Sequence, residues 1–514
     1  MVSSRPEDGA AADASDREGD AAAGGASDDA VIGGGTPPVD DLPPGPDGIP
    51  VLGNTLQLVR DPFAFYERLR EEFDADVVTY TVAGDRGYML TAPADIERVL
   101  VTEAPDFEKG RVMEENLGTV IPNGLVVTGG EQWQADRNLL QPLFYRERIE
   151  RYAETMTAAS ERVGDSWTPE RPVAVDEAMR TLTLDVLAKT LLDLDVSDRR
   201  DRIARDTEAL LASFDTSSLS AFLPMWVPTP RNRRARRALS DFHDLVDDLI
   251  AERRAETVVE DGTTGDDRTT GDDGTTGDDG TTGDDGTALE DRDDLLSLML
   301  TAEYEDGSSM SDETVRDQLM TFLVAGHETT SLALTYALFL LAHHPERQAA
   351  LQAELDEQLG GDSPTPGDLF DLPYLDDVLT ESLRLYPPAF VIFRESTTPK
   401  VFQGYRIPEG ALLSLPQWNV HRDSRWYDEP ESFRPERWTD EFQEALPDYA
   451  YYPFGGGPRT CIGNRFATME AKLALATLCQ RFRFEPVTEP PLDLRMMVTL
   501  QPEDAVEVRP VERS

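Results

Sequence analysis

The chain has 514 residues and a formal net charge of −51, with 99 acidic and 48 basic side chains. So strong a negative charge argues against nucleic acid as a partner, and only two cysteines argue against a disulfide framework. No apolar run reaches the roughly 18 residues of a membrane-spanning helix, and the first residues do not resemble a signal peptide. We therefore expect a cytoplasmic protein without an integral membrane anchor.

Two segments have compositions that predict disorder. Residues 1–41 are mostly Ala, Gly, Ser and Asp, and residues 257–290 contain four copies of Thr-Thr-Gly-Asp-Asp. Neither segment can bury enough apolar surface to offset the entropy lost on ordering. We predict a disordered acidic tail over 1–41 and one folded domain over 42–514. The repeat at 257–290 is then a disordered insertion in a helix–helix loop, where long insertions are tolerated.

The negative charge is not confined to these two segments. Residues 1–41 carry −8 and residues 260–294 carry −12, so −31 remains on the rest of the chain. The chain has four lysines, and arginine supplies the remaining basic side chains. A chain with this much negative charge outside its low-complexity segments, and with so few lysines, resembles proteins of extreme halophiles, in which salt screens the repulsion between carboxylates. We expect a halophilic archaeal source; an acidic protein from an ordinary cell is the alternative.

The N-terminal half predicts a short hairpin followed by helices. Residues 42–54 form a rigid stretch rich in proline and glycine. The runs 77–82 and 88–90 alternate like strands, and residues 84–87 between them predict the turn of a β-hairpin. Residues from about 150 to 255 show mainly the spacing of amphipathic helices.

The C-terminal half predicts one long helix. Ser311 is a start signal, and the Pro345 that follows two histidines is a stop signal. About 32 residues lie between these signals, or ~48 Å of helix. Residues 495–500 and 505–508 predict another short hairpin. Helices dominate, so we predict a mainly α fold with small peripheral β-sheets.

A loop rich in glycine and proline, residues 454–463, presents Cys461 just before a helical run that begins at Asn464. A thiolate gains from the unpaired N–H groups and the dipole at a helix start. Glycines let a backbone approach a flat ligand closely. The pattern suits a catalytic nucleophile or an axial iron ligand. A buried apolar cysteine beside a turn is the alternative, and we interpret the second cysteine, Cys479, as a small core residue.

This loop resembles the haem-ligand loop of the cytochromes P-450. The matching positions are Phe454, Gly457, Arg459, Cys461 and Gly463. The resemblance covers roughly residues 42–510 and implies the cytochrome P-450 fold, with haem b as the cofactor. It also implies that Cys461 is the proximal iron ligand and that Phe454 packs against its sulfur. Gly455, Arg459 and Gly463 are expected to contact the haem.

The middle of the long helix reads Ala325-Gly-His-Glu-Thr-Thr330. A carboxylate and hydroxyls in an otherwise apolar helix are costly unless they are used. The segment resembles the family's oxygen-activation motif, in which Thr329 helps activate dioxygen, Glu328 relays protons, and the small Ala325 and Gly326 leave room for a flat ligand. Thr hydroxyls can instead bond back to the helix backbone. A metalloprotease His-Glu-x-x-His motif fails, because position 331 is Ser.

Further basic and aromatic residues match haem-propionate contacts of the family. Trp133 and Arg137 are four residues apart, on one helix face, where an indole N–H and a guanidinium can hold a carboxylate. Arg394 and Arg459 match propionate-binding arginines, and Lys109 is a weaker match. Taken without the resemblance, Trp133 and Arg137 could form an exposed stack.

A structural cluster of charges is also implied by the resemblance. Glu381 and Arg384 are three residues apart, which by itself predicts a minor surface pair. In the family the arginine of the segment 433–438, here Arg437, joins them in a buried triad that braces the chain before the cysteine loop. We assign these residues no chemistry, and we expect His421 to be structural.

Residues 221–237 fall where the family has its substrate-access lid. An apolar, proline-broken stretch precedes a cluster of five arginines. Such a segment could touch a membrane surface transiently and take up a substrate dissolved in lipid. The alternative is a loop that covers the core.

The sequence therefore predicts a haem-thiolate monooxygenase that inserts one oxygen atom from O2 into a small apolar substrate. Fatty acids, isoprenoids and carotenoids all fit such a site. Electrons are expected from a separate ferredoxin-type donor with its own reductase, because no flavin or ferredoxin domain is recognisable. The alternatives are a peroxide-using haem-thiolate enzyme or an oxygen-independent isomerase, a non-catalytic haem sensor, and a helical scaffold without haem.

Overall fold

The structure of the protein is a computed structural model that describes residues 42–194, 199–215, 223, 226–258 and 294–513. The predicted disordered tail, 1–41, and most of the predicted insertion, 257–290, lie outside these residues. The described residues all belong to one compact unit.

Helices make up most of the described chain. Those of its first part are α1 (Thr55–Arg60), α2 (Pro62–Glu71), α3 (Pro93–Glu97), α4 (Arg111–Asn116), α5 (Gly130–Leu140), α6 (Arg146–Ile149), α7 (Ala153–Ser166), α8 (Val175–Leu191), α9 (Arg200–Leu211) and α10 (Pro230–Val258). Those after the insertion are α11 (Leu295–Thr301), α12 (Asp312–His343), α13 (Pro345–Leu359), α14 (Pro373–Leu385), α15 (Gln417–Val420), α16 (Asp440–Ala445) and α17 (Asn464–Arg481). The predicted mainly α fold is confirmed.

The strands are short. They are β1 (Val77–Val82), β2 (Asp85–Leu90), β3 (Phe107–Glu108), β4 (Val173–Ala174), β5 (Ile392–Ser396), β6 (Lys400–Phe402), β7 (Tyr405–Ile407), β8 (Leu412–Leu415), β9 (Phe482–Pro486), β10 (Leu494–Met496), β11 (Leu500–Pro502) and β12 (Glu507–Glu512). Among the described residues they form one five-stranded sheet, β1-β2-β8-β5-β3, one three-stranded sheet, β4-β12-β9, and the pairs β6-β7 and β10-β11.

The predicted first hairpin is present, but its turn is shorter than expected. The turn is Ala83-Gly84, where both residues have positive φ (54° and 95°), as a tight two-residue hairpin requires. Gly87, expected in the turn, lies in β2 opposite Tyr80. A Cβ at Gly87 would lie 2.5 Å from the Tyr80 ring, so this glycine makes room for an aromatic side chain across the strand.

The prediction for the last hairpin was wrong in its pairing. Residues 494–496 pair with 500–502, not with 505–508. The segment 507–512 pairs instead with β9, and its first residues also pair with β4. Burial explains the difference: Val508 packs in the main core, whereas Met496 and Leu500 pack in a separate cluster beside α2. Alternation alone could not identify the partner of either strand.

Helix α12 runs through the main core and carries the predicted acid and alcohol. Its bounds match the predicted helix, and Ser311 caps it by accepting a hydrogen bond from the Thr314 amide at 3.1 Å. It packs most extensively against α8 and also contacts α17, the helix that follows Cys461. Side chains along α12, such as Leu323 and Leu334, are fully buried. This core holds α12 and α17 in contact.

The two ends of the insertion are held together by a buried ion pair. Helix α10 extends through Val258, two residues into the segment predicted to be disordered. Arg253 on α10 donates to Asp294, just before α11, at 2.6 Å, and both side chains are buried. Arg253 also donates to the Leu192 carbonyl at 2.8 Å. The described residues on the two sides of this segment are therefore joined to each other directly.

Candidate haem site

The cysteine loop is shaped by glycines that other residues could not replace. Gly455 and Gly457 have positive φ (71° and 64°), a region that side chains rarely adopt. A Cβ at Gly457 would also lie 1.9 Å from the Leu100 carbonyl oxygen. The loop closes where the Cys461 amide donates to the Phe454 carbonyl at 3.0 Å. Phe454 is half-buried against the main core, and Gly463 caps α17.

The Cys461 thiol has an unusual environment. Its side chain is accessible, yet the surrounding protein raises the pKa of the thiol by desolvation, against the smaller lowering effects of the Gly463 amide and of Arg137. The Gly463 amide at the helix start does favour the thiolate, as expected, but desolvation by the surrounding protein has the larger effect on the pKa. A thiol in such surroundings ionises most readily when a bound metal cation compensates its charge.

The second cysteine differs from Cys461 in every respect. Cys479 lies near the end of α17, fully buried in the main core. Desolvation raises the pKa of its thiol to about 12. Cys479 is a core residue, as predicted.

Four predicted basic residues converge beside the cysteine loop. Arg137 on α5 donates to the Thr460 carbonyl at 2.9 Å, and the Arg459 guanidinium lies 5.1 Å from the centre of the Trp133 ring. Lys109 donates to the Leu125 carbonyl at 2.5 Å. Burial, followed by the positive charges of Arg459, Arg394 and Arg137, lowers the pKa of Lys109 to about 6. Such a concentration of positive charge, in a chain of net charge −51, calls for an anionic ligand.

One of these arginines has a buried donor that the described protein does not satisfy, and a second is bonded only within its own segment. Arg459 Nη1 is buried and has no hydrogen-bond partner among the described residues. The Arg394 side chain donates to the carbonyl of its own neighbour, Phe393, at 2.8 Å, and burial lowers its pKa to about 10. Buried donors are normally paired. An accessible thiol beside several cations fits a haem, whose iron can take the sulfur and whose two carboxylates can take the cations.

Residues 325–330 of α12, which include the acid and the alcohol, differ in their exposure. Ala325 is exposed and Thr329 is half-buried, whereas Thr330 is buried. Thr329 donates to the Ala325 carbonyl at 2.8 Å, and Thr330 donates to the Gly326 carbonyl at 3.2 Å. Both hydroxyls thus make the back-bond considered from the sequence, and Thr329 keeps its lone pairs as acceptors on the more accessible side.

Gly326 has a different function from the one expected. A Cβ on this residue would lie 2.2 Å from Leu187 Cδ1 on α8. Its small size therefore allows α8 and α12 to approach each other, whereas Ala325 is the small residue on the accessible face.

The Glu328 carboxyl is buried and faces residues that sequence reasoning missed. Glu328 Oε1 accepts from Gln501 Nε2 at 2.7 Å, and Oε2 lies 3.8 Å from Arg180 Nε. The neighbouring His327 is also buried, with Nε2 3.9 Å from Glu328 Oε2, and desolvation lowers its pKa to about 4. Desolvation raises the pKa of Glu328, and Arg180 opposes it. No local pattern marks Gln501 or Arg180, because both are remote from Glu328 in sequence.

The structure brings the three residues of the structural cluster together. Glu381 is fully buried and accepts from Arg384 at 2.8 and 2.9 Å and from Arg437 at 2.9 Å. A fourth member, which sequence reasoning missed, is Trp438, whose indole donates to Glu381 at 3.0 Å. His421 Nε2 accepts from the Tyr452 amide at 3.0 Å, which is a structural contact in this same region.

Comparisons with known proteins agree with the fold and identify the family of the chain. The family model described as "Cytochrome P450" matches residues 43–508, and the chain belongs to this family. The chain is 33% identical over 449 residues to cyclooctatin synthase of Streptomyces melanosporofaciens, covering 86% of this chain and 90% of the relative. It is 32% identical over 445 residues to cyclooctat-9-en-7-ol 5-monooxygenase of the same organism, covering 86% and 89%.

A solved structure described as retinoic acid bound cyanobacterial CYP120A1 superposes with a TM-score of 0.77 at 25% identity. The alignment covers 92% of this chain and 99% of that chain. Together these matches establish a cytochrome P450 monooxygenase, with the haem-thiolate cofactor, the use of O2, the redox partner and the apolar substrate that this family implies. In the part of the chain that the structure describes, no helix has the length and hydropathy needed to cross a membrane.

Proposed function

We propose that the protein hydroxylates or epoxidises an apolar substrate of the isoprenoid class, with electrons from a ferredoxin-type donor and its reductase. The observation that carries the site assignment is the convergence of Lys109, Arg137, Arg394 and Arg459 beside an accessible Cys461. The isoprenoid class, among the three that the sequence left open, is favoured by the relatives named for cyclooctat-9-en-7-ol and cyclooctatin.

In this proposal each site residue has a defined part in holding haem b. Cys461 binds the iron, with Phe454, Gly455 and Gly463 around the sulfur. Trp133, Arg137, Arg394, Arg459 and Lys109 hold the two carboxylates, and Lys109 regains its proton when an anion binds beside it. When bound, the haem supplies the oxidising chemistry, and a thiolate ligand favours cleavage of the O–O bond.

Thr329 and Glu328 are proposed to handle protons on the other side of the site. Thr329 keeps its acceptor lone pairs while it donates to Ala325, so its hydroxyl can hold a water. Glu328 is buried, and desolvation raises its pKa, which brings a carboxyl closer to the pH at which it can both take and give a proton. Ala325 leaves the space beside them free.

Exchange of Thr329 for alanine tests the proposed function. We expect Thr329→Ala to keep the haem spectrum and the substrate affinity, because Thr329 is not among the residues proposed to hold the haem and the exchange removes only a hydroxyl and a methyl group. Donor consumption should continue, while product per electron falls and hydrogen peroxide rises, because the methyl group cannot hold a water. The measurement is the ratio of product to donor oxidised, with peroxide assayed in parallel.

Thr330→Ala is the matched control for this variant. Thr330 is buried and lies about 100° further around the helix, so its loss should change coupling far less. Wild-type coupling in Thr329→Ala would show that the hydroxyl only packs the helix, and the acid–alcohol proposal would then be wrong.

The halophilic character is proposed from the charge of the chain outside the two low-complexity segments. At low salt this charge is poorly screened, whereas at molar salt the Debye length falls to about 3 Å. We expect cooperative unfolding and haem retention at about 3 M KCl, and loss of both as KCl falls toward about 0.1 M. Thermal unfolding followed by Soret absorbance measures this, and a melting temperature independent of KCl would contradict it.

The segment 221–237 is proposed to contact a membrane surface transiently. Trp226 is 75% exposed and Leu223 is 45% exposed, and exposed arginines, among them Arg233 and Arg234, begin α10 directly afterwards. Residues 221, 222, 224 and 225 lie outside the described residues. Sedimentation with vesicles, for the wild type and for Trp226→Ser, measures the contact.

A further inference from the structure

The Glu328 carboxyl is held by an element far from it in sequence, the hairpin β10–β11. Gln501 on β11 donates to Glu328 Oε1 at 2.7 Å, and both side chains are less than a tenth exposed. The same amide nitrogen donates to Thr499 Oγ1 at 3.2 Å. A side-chain NH2 group has two hydrogens, so both bonds can form together, and the Thr499 bond orients the amide toward Glu328.

The hairpin is itself fixed to α12 at the residue next to Gln501. Tyr336, eight residues after Glu328 on α12, donates to the Leu500 carbonyl at 2.6 Å. The Leu500 amide donates to the Pro388 carbonyl at 2.9 Å. Leu500 is fully buried. The backbone of Leu500 is therefore anchored at both its carbonyl and its N–H, and this holds the neighbouring Gln501 beside Glu328.

The other oxygen of Glu328 faces charged and titratable groups on three helices. Arg180 on α8 approaches it to 3.8 Å, and Asp176 lies one turn earlier, 4.0 Å from Arg180. Glu208 on α9 raises the pKa of Glu328 as a like charge. His327 and Tyr336, two further titratable groups near Glu328, lie on α12 itself. Gln501 cannot ionise, so it can hold the carboxyl by a hydrogen bond without adding charge at any pH.

The hydrogen bond from Gln501 fixes the orientation of the Glu328 carboxyl, on which proton transfer through that group depends. Rotation of the Glu328 side chain would break its short hydrogen bond to Gln501 inside a buried site, where unpaired polar groups are costly. The carboxyl is thus confined to one orientation, with Oε1 toward the hairpin and Oε2 toward Arg180. A proton relay depends on such an orientation, because a donor and an acceptor must meet within hydrogen-bond reach.

We propose that Gln501 is a positioning residue that fixes the Glu328 carboxyl and thereby controls proton transfer through it. The proposal rests on the proposed function for the role of that proton transfer. The hydrogen bond itself does not rest on it and can be measured separately.

The test is an infrared titration of the ferric holoprotein. The C=O stretch of protonated Glu328 is assigned by its absence in Glu328→Gln, and its titration midpoint is compared between the wild type and Gln501→Met. An amide donor stabilises the carboxylate, so its removal should raise the midpoint, by about one pH unit. Gln501→Glu should raise it further, because two adjacent carboxyls share one proton.

The second part of the test measures catalytic turnover. In Gln501→Met we expect unchanged substrate affinity, lower product per donor oxidised and a larger solvent deuterium isotope effect. A role in packing alone would lower stability but would leave the isotope effect and the infrared midpoint unchanged. An unchanged midpoint in Gln501→Met would overturn the proposal. If that variant loses its haem, Gln501→Asn, which withdraws the amide by one methylene, replaces it with the same expectation.

Arg495→Gln is the matched control on the same hairpin. Arg495 lies directly opposite Gln501 in the strand pair and forms a surface ion pair with Glu503 at 2.7 Å. Its exchange perturbs the hairpin without touching Glu328, so we expect the infrared midpoint to stay unchanged. An equal shift in this control would assign the effect to hairpin displacement and overturn the proposal. Normal coupling in Glu328→Gln, with the shift still present in Gln501→Met, would refute only the proton-relay part of the proposed function.

Discussion

Replacing Cys461 with histidine is expected to leave haem bound but to abolish the red-shifted Soret band that the reduced carbon monoxide complex of a thiolate-ligated haem gives. The cations around the site, such as Arg137 and Arg459, remain in this variant and can still hold the haem carboxylates. Imidazole, however, is neutral and donates less electron density than a thiolate. The measurement is the reduced carbon monoxide difference spectrum at high salt, with the haem content determined separately.

Cys479→Ala is the control for this substitution. Cys479 is buried in the main core, so its truncation leaves a small cavity and should leave the band unchanged. Loss of the band in Cys479→Ala, or a wild-type band in Cys461→His, would overturn the assignment of the iron ligand. The result would also test whether the loop from Phe454 to Gly463 is the haem loop at all.

Replacing Glu381 with alanine is expected to destabilise the fold by about 3–5 kcal/mol, because it leaves Arg384 and Arg437 buried without their carboxylate. The loss should spread, since Arg384 also donates to the carbonyls of His421 and Pro430 at 2.7 Å each. These bonds connect α14 with the chain that leads to the cysteine loop. Urea unfolding at high salt, followed by both helix content and Soret absorbance, measures the effect.

Glu436→Ala provides the comparison for a surface pair. Glu436 accepts from Arg347 at 2.9 Å, but its side chain is 49% exposed. An exposed pair contributes less than about 1 kcal/mol. Similar losses in the two variants would show that burial of Glu381 does not have the expected energetic importance.

Glu381 is buried and Glu436 is exposed, a difference that their local sequence does not indicate. By spacing alone, Glu381 and Arg384 are an ordinary pair one turn apart on a helix. Only the resemblance to a family indicated a buried cluster, and neither source indicated Trp438. The indole approaches Glu381 because the segment after α15 folds back over α14, and that path depends on contacts between residues far apart in the chain.

The same distinction applies within the site. The acid and alcohol of α12 were recognisable because they are adjacent in the sequence and their helix has clear start and stop signals. That Gly326 packs against Leu187 was not recognisable, because a glycine in a helix has the same local pattern whether it faces a ligand or another helix. Likewise, the desolvation that raises the pKa of the Cys461 thiol depends on the protein that surrounds it, whereas the helix start is a local feature of the sequence.

The sequence by itself therefore determined what local rules encode: the mainly helical fold, the bounds of α12, the first hairpin and the loop that presents Cys461. Hydrogen bonds within a helix, a cap or a tight turn join residues only a few positions apart, so the order of residues specifies them. The tertiary structure alone decided the partners of β10 and β12, the charge environment of Cys461, and the contact of Glu328 with Gln501 and Arg180. These depend on which distant segments pack together and on how far they exclude water, and no window of sequence contains both partners.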